Sequence, residues 1–292
     1  MRTRTKWAAI TLAVVAGATL TAVSCSPDST SPMSGVTRTD APAFGKGSKS
    51  LIDEYEWTGK YHNDALAYAL VSLKKSKATS RHDRCKVGLA ALKEFQKEFR
   101  KANKKQGFDN LNLTDGMCEA AEANGFKISP SVSVGSNGLR PGFDISPAAS
   151  NYMNQLTSAV DGMTSVSGLT TAVKNISNSA ASTLPGLEAV AVATSGSIAV
   201  SSANYWTVNE SAWPSGPQTA YSLSPGSTAN NAGIAPPSAL RYSISGRGRA
   251  IIRADLIAAI GTFMAEWFMG EIAVSHACIR GAAASLIAGI VY

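Results

Sequence analysis

RAIIRADLIAAIGTFMAEWFMGEIAVSHACIRGAAASLIAGIVY, residues 249–292, is the most apolar stretch of the chain, and its reading decides the fold. Gly270 divides it into two helical halves. Small residues recur every four positions, Ala250, Ala254, Ala258 and Thr262 in the first half, then Ala273, Ala277, Gly281, Ser285 and Gly289. That spacing puts each set on one helix face and lets two backbones approach closely. Leu256, Ile260, Phe263, Trp267, Ile272, Ile279 and Leu286 fall on other faces. A membrane hairpin would need windows of ~20 apolar residues. Arg253, Asp255, Glu266, Glu271 and Arg280 interrupt them, each costing ~2.5–3.5 kcal/mol near a bilayer centre. The stretch therefore predicts a tight helical hairpin, buried against other helices, with Cys278 reduced inside it.

The helices to receive it lie in Ser146–Tyr205. Between Ser146 and Trp206 the only charges are Asp161, Lys174 and Glu188. Met153, Leu156, Val160 and Met163, then Val166, Leu169, Val173 and Ile176, recur at three- and four-residue steps. Leu184-Pro185-Gly186 breaks the run, and Leu187, Val190 or Ala191, Thr194 and Ile198 resume it. This predicts two or three amphipathic helices with apolar seams and a Ser/Thr/Asn outer face. Alternating Val and Ser keep a β reading open for Glu188–Ser202. Residues 207–246 carry Pro214, Pro217, Pro225, Pro236 and Pro237 and read as a long loop, with Trp206, Trp213, Tyr221 and Tyr242 suited to lie on the helices. Residues 146–292 thus form a low-charge helical domain.

Residues 51–128 read as a separate, basic helical module, joined to it by a Ser/Gly/Pro-rich linker at 129–145. Leu66, Leu70 and Leu73 mark a first helix, and Val87, Leu89, Leu92, Phe95 and Phe99 the apolar side of a second. Thr114 and Asp115 start a short third helix that Gly125 ends. Lys74, Lys75, Lys77, Arg81, Arg84, Lys86, Lys93, Lys97, Arg100, Lys101, Lys104 and Lys105 face only Asp83, Glu94 and Glu98, a local charge of +9 that exceeds the +7 of the whole chain. Cys85 and Cys118, both in this module, are the most economical disulfide. The fold class is mainly α: one discontinuous helical core or two small ones, with long Ser/Pro/Gly-rich loops and a C-terminal hairpin.

The opening residues point to export. Arg2, Arg4 and Lys6 precede an apolar block from Ala8 to Val23 that is short for a spanning anchor. Ala22-Val23-Ser24-Cys25 resembles the lipobox of bacterial lipoproteins, although Ala22 stands where a larger aliphatic residue is usual. That resemblance implies a signal peptide at 1–24, a diacylglycerol on Cys25, and a bacterial cell-envelope location on the periplasmic or surface face. Ala22 and Ser24 also satisfy an ordinary A-x-A-like cleavage site. Residues 25–50, rich in Ser, Thr, Pro and Gly, read as a flexible tether. Gly59-Lys60-Tyr61-His62-Asn63-Asp64-Ala65-Leu66-Ala67-Tyr68 is similar to a G-x-x-H-N-x-x-L-x-Y signature of uncharacterised exported bacterial proteins, some of which end in an Ala/Gly-rich segment containing Ala-Asp, as Ala254-Asp255 does here. In this chain Asn63 or Asp64 is expected to cap a helix, with His62 packed beside Tyr61 or Trp57. A sharper alternative makes His62 an acid/base or metal ligand with Glu54, Glu56 or Asp64.

Enzyme chemistry finds little footing. There is no G-x-S-x-G, and Ser72-Leu73-Lys74-Lys75 matches S-x-x-K without its S-D-N and K-T-G partners. His62, His82 and His276 are the only histidines, which rules out H-E-x-x-H and His-cluster metal sites. Glu119 with Glu122 and Glu266 with Glu271 read as solvated helix faces. No metal, cofactor or nucleic-acid partner is expected. The sequence predicts a non-catalytic, lipid-anchored envelope protein binding an anionic surface or partner through its basic module. The alternative is a membrane-active, pore-forming or toxin-like protein that inserts its C-terminal apolar segment.

Overall fold

The computed structural model describes residues 50–103, 111, 113, 114, 116–123, 145–214, 244–266 and 271–291. Cys25, Lys104, Lys105, Tyr221, Tyr242 and the linker at 129–144 lie outside the described residues. Among the described residues nine α-helices follow one another: α1 Leu51–Glu54, α2 Glu56–Lys75, α3 Arg81–Asn103, α4 Gly116–Ala123, α5 Pro147–Asp161, α6 Val166–Thr183, α7 Gly186–Asn209 with a 3-10 turn at Glu210–Ala212, α8 Gly246–Glu266 and α9 Glu271–Val291. The described residues contain no strand, so Glu188–Ser202 is helical.

α7 is the axis of the molecule. It packs against α1, α2, α5, α6, α8 and α9, and its side chains from Ala189 to Ala199 are buried without a break. A helix enclosed on all sides carries no amphipathic stripe. The expected Ser/Thr outer face is therefore a correction here: Thr194, Ser195, Ser197 and Ser202 are all buried. Expectation holds better for α5 and α6, where Met153, Leu156, Val160, Leu169 and Val173 are buried on one side. Ser146 caps α5 by accepting from Ala149 N at 3.1 Å, and Pro147 occupies the first turn, where no amide is missed. Glu188 of α7 accepts from Ser146 N at 2.9 Å and Oγ at 2.7 Å, fixing that end of α5 to the axis.

The predicted hairpin forms. α8 and α9 pack along each other, and α9 also reaches α2 and α3. Cys278 is free and buried; its thiol donates to Val274 O at 3.1 Å, and burial pushes its pKa up. Only half of the small-residue pattern works as expected. On α9, Ala273, Ala277, Gly281, Ser285 and Gly289 are all buried, whereas Ala250, Ala254 and Ala258 on α8 are only half-buried. The α9 stripe serves other partners as well: Gly289 leaves space that the ring edge of Trp206 fills, 2.5 Å from where a Cβ would stand.

α2 and α3 form an antiparallel pair held by Tyr61, Phe95 and Phe99, with ring centroids 4.3–5.9 Å apart. Cys85 and Cys118 are joined, Cα atoms 5.8 Å apart, clamping α4 onto α3. Of the two arrangements the sequence allows, one core or two, the described residues form one: Leu66, Leu92, Ile198 and Leu286 belong to a single buried cluster.

Candidate functional site

Two places concentrate the polar chemistry of the chain. The first is the outer side of α3. Cys85, Leu89, Leu92, Phe95 and Gln96 are buried, which turns Lys86, Lys93, Lys97, Arg100 and Lys101 away from the core at helical spacing. Lys93, Lys97, Arg100 and Lys101 are exposed, as are Lys74, Lys75 and Lys77 at the end of α2 and in the following loop. Arg81, Arg84 and Lys86 are half-buried. Arg84 Nε donates to Ala78 O at 3.2 Å, so this guanidinium fixes the α2–α3 turn. Lys86 pairs with Glu119 at 3.3 Å and Lys97 with Glu94 at 3.5 Å. Glu119 and Glu122 also flank His82, which lies 2.8 Å from Glu122. These acids serve to hold α4 beside the disulfide.

The second place is buried, and sequence reasoning placed its members wrongly. α2 begins at Glu56, two turns before the expected cap, so Asn63 and Asp64 are interior to the helix. Asp64 pairs with Lys60 at 2.6 Å on the exposed side. Asn63 Nδ2 donates to Ser201 O of α7 at 2.9 Å, and Asn63 Oδ1 faces His62 Nδ1 at 3.0 Å. His62 is fully buried, away from the Glu54, Glu56 and Asp64 considered for it. Its Nε2 lies 3.4 Å from Asp255 Oδ2, on α8, itself fully buried. Ser202 and Ser285 both donate to that oxygen, Ser285 at 2.6 Å. Trp206 Nε1 donates to Ser285 Oγ at 2.9 Å.

Two glycines bring the four helices together there. A Cβ at Gly59 would collide with Ser201 Oγ and come within 2.8 Å of Ser197 O, so only glycine lets α2 and α7 cross this closely. At Gly281 a Cβ would meet the His62 ring at 3.3 Å and Asp255 O at 3.6 Å. His62 of the quoted signature thus meets Asp255 of the Ala254-Asp255 pair in space, while Gly59 and Asn63 meet α7 beside them. That co-occurrence was the one signal in the sequence that could have paired them. Ser202, Ser285 and Trp206 had none, being single polar residues within apolar helices.

Neither place has the layout of a hydrolytic centre. Both serines donate to Asp255, so the histidine does not stand between a hydroxyl and a carboxylate as nucleophile activation requires. Among the described residues, no three of His, Cys, Asp and Glu gather as a metal would need. A third polar group closes the α8–α9 hairpin: Glu266 accepts from Arg280 at 2.8 Å and lies 2.6 Å from His276 Nδ1. Burial opposes ionisation of Glu266, but the His276 hydrogen bond and the Arg280 charge outweigh it and hold the carboxyl below its usual value.

No family model, curated protein or solved structure matches this chain.

Proposed function

We propose that the protein is a non-catalytic, lipid-anchored protein of the bacterial cell envelope that docks on an anionic surface through the basic face of α2 and α3. One observation carries the reading: Lys93, Lys97, Arg100 and Lys101 project from the side of α3 opposite its buried seam. A basic residue near an acidic membrane contributes ~1 kcal/mol each, and the sum is screened by salt. The lipobox-like Ala22–Cys25 segment would add the permanent anchor.

The test separates the two parts. Cys25→Ala should release the chain from the membrane fraction and end its fatty-acid labelling. With that released chain, phosphatidylglycerol vesicles should bind and phosphatidylcholine vesicles should not, and Lys93→Glu/Lys97→Glu/Arg100→Glu/Lys101→Glu should abolish binding. Binding that is unchanged by the four substitutions or by salt sinks the docking reading.

The alternative, insertion of the C-terminal segment, draws on Ile272–Ile290, which is long and apolar enough to cross a membrane. Most of that window is buried in the bundle (78%), so insertion would first have to open the core. Leakage of vesicles caused by the full chain, surviving the four charge reversals, would favour it.

A further inference from the structure

The donors and acceptors around His62 leave a place for one hydrogen that nothing else fills. Asn63 donates its amide nitrogen to Ser201 O, so its oxygen must face the ring, and His62 Nδ1 must carry a hydrogen. In a neutral imidazole the other nitrogen, Nε2, is then a bare lone pair. It lies 3.4 Å from Asp255 Oδ2, which is an acceptor too. The carboxylate cannot turn this clash to advantage, because Oδ2 already accepts from Ser202 and Ser285. Ser285 in turn accepts from Trp206 Nε1, which commits its own hydroxyl hydrogen to Asp255. Two facing lone pairs in a dry interior cost heavily, whereas one proton between them converts repulsion into a charge-assisted contact.

We infer that His62 and Asp255 hold a proton between them as a buried imidazolium–carboxylate pair, a proton-dependent lock that fastens α2 to α8 across the axis helix. The two serine hydroxyls favour the ionised carboxylate, so the proton belongs on the ring at Nε2. Other buried titratable groups on the surrounding helices do not compete for it. Tyr61 on α2, Tyr205 on α7 and Cys278 on α9 are kept neutral by burial, which raises all three. Glu188 is bonded to Ser146, and His276 to Glu266. On α8, Arg253 turns outward to Asp161 at 3.2 Å.

With only three histidines in the chain, nitrogen NMR of the full chain labelled with 15N-histidine reads this directly. His62→Gln identifies the His62 signals by their loss. At neutral pH both His62 nitrogens should resonate as protonated. In Asp255→Asn the amide oxygen keeps the two serine hydroxyls but the negative charge that holds the proton is gone, so Nε2 alone should shift to the unprotonated range while Nδ1 keeps its hydrogen. A wild-type ring whose Nε2 is unprotonated overturns the inference, as does a folded Asp255→Asn chain whose Nε2 stays protonated. Should Asp255→Asn fail to fold, the wild-type spectrum alone decides.

Discussion

The crossing of α2, α7 and α8 and the outer face of α3 both spend polar residues, but in opposite settings. At the crossing, His62, Asp255, Ser202 and Ser285 are buried, so each must find a partner within the protein. On α3, Lys93, Lys97, Arg100 and Lys101 are exposed, where water can solvate a charge that loses its partner. A buried polar group is expensive to leave unpaired, while an exposed ion pair is worth little. Disturbing the first region should therefore act on the fold, and disturbing the second on association alone.

Asp255→Ala should break this contrast most severely. It removes the acceptor of two hydroxyls and the partner of His62, and the expected loss is about 3–5 kcal/mol. Urea unfolding at neutral pH measures it; a loss under about 1 kcal/mol would mean that the crossing tolerates unpaired groups. Next comes Gly59→Ala, for which we expect about 1–3 kcal/mol, since a Cβ must push α2 off Ser197 O and Ser201.

A weaker effect is expected from acid. Glu266 is held below its usual value of 4.5 by His276 and Arg280 against the pull of burial. A depressed carboxyl stabilises the fold above its unfolded pKa, and that contribution is lost as pH falls through the folded value. Acid unfolding of wild type and Glu266→Gln should thus converge as pH falls through the folded value, below 4.5, with wild type the more stable above it. Parallel curves over the whole range would remove Glu266 from the acid response. The smallest effect belongs to α3: Lys93→Ala and Lys97→Ala should each stay within about 0.5 kcal/mol of wild type in urea, although vesicle binding falls. A larger loss would show that the outer face supports the fold.

How much of this could be read in advance depended on the setting of each residue. α3 was legible because Leu89, Leu92 and Phe95 alternate with solvated positions, as do Met153, Leu156 and Val160 on α5. The α8–α9 hairpin was legible because charges interrupt its apolar run while small residues invite close packing. α7 was misread, since burial on every side erases the periodicity that marks a helix face. Gly59 hid the true start of α2: in sequence it looks like a position outside a helix, and only α7 lying across it explains why it stands within one. The partner of His62 was missed because spacing along the chain does not tell which distant carboxylate a histidine will meet; only the co-occurrence of the signature with Ala254-Asp255 hinted at it.

The position of α7 in the chain has a consequence for the order of assembly. The α2–α3 pair closes through a short turn and can form early, as local contacts do. The face of α2 that carries Gly59 and His62, however, packs against α7, α8 and α9, which follow it far along the chain. Closing loops of that length must precede any reward from the contacts. The proton-sharing pair is thus a late event, and a nascent chain that stops before Gly246 leaves the part of the α2 face that α8 and α9 cover open to whatever chaperone or neighbour it meets. The crossing waits on α8 and α9, and any process that delays their packing prolongs the exposure.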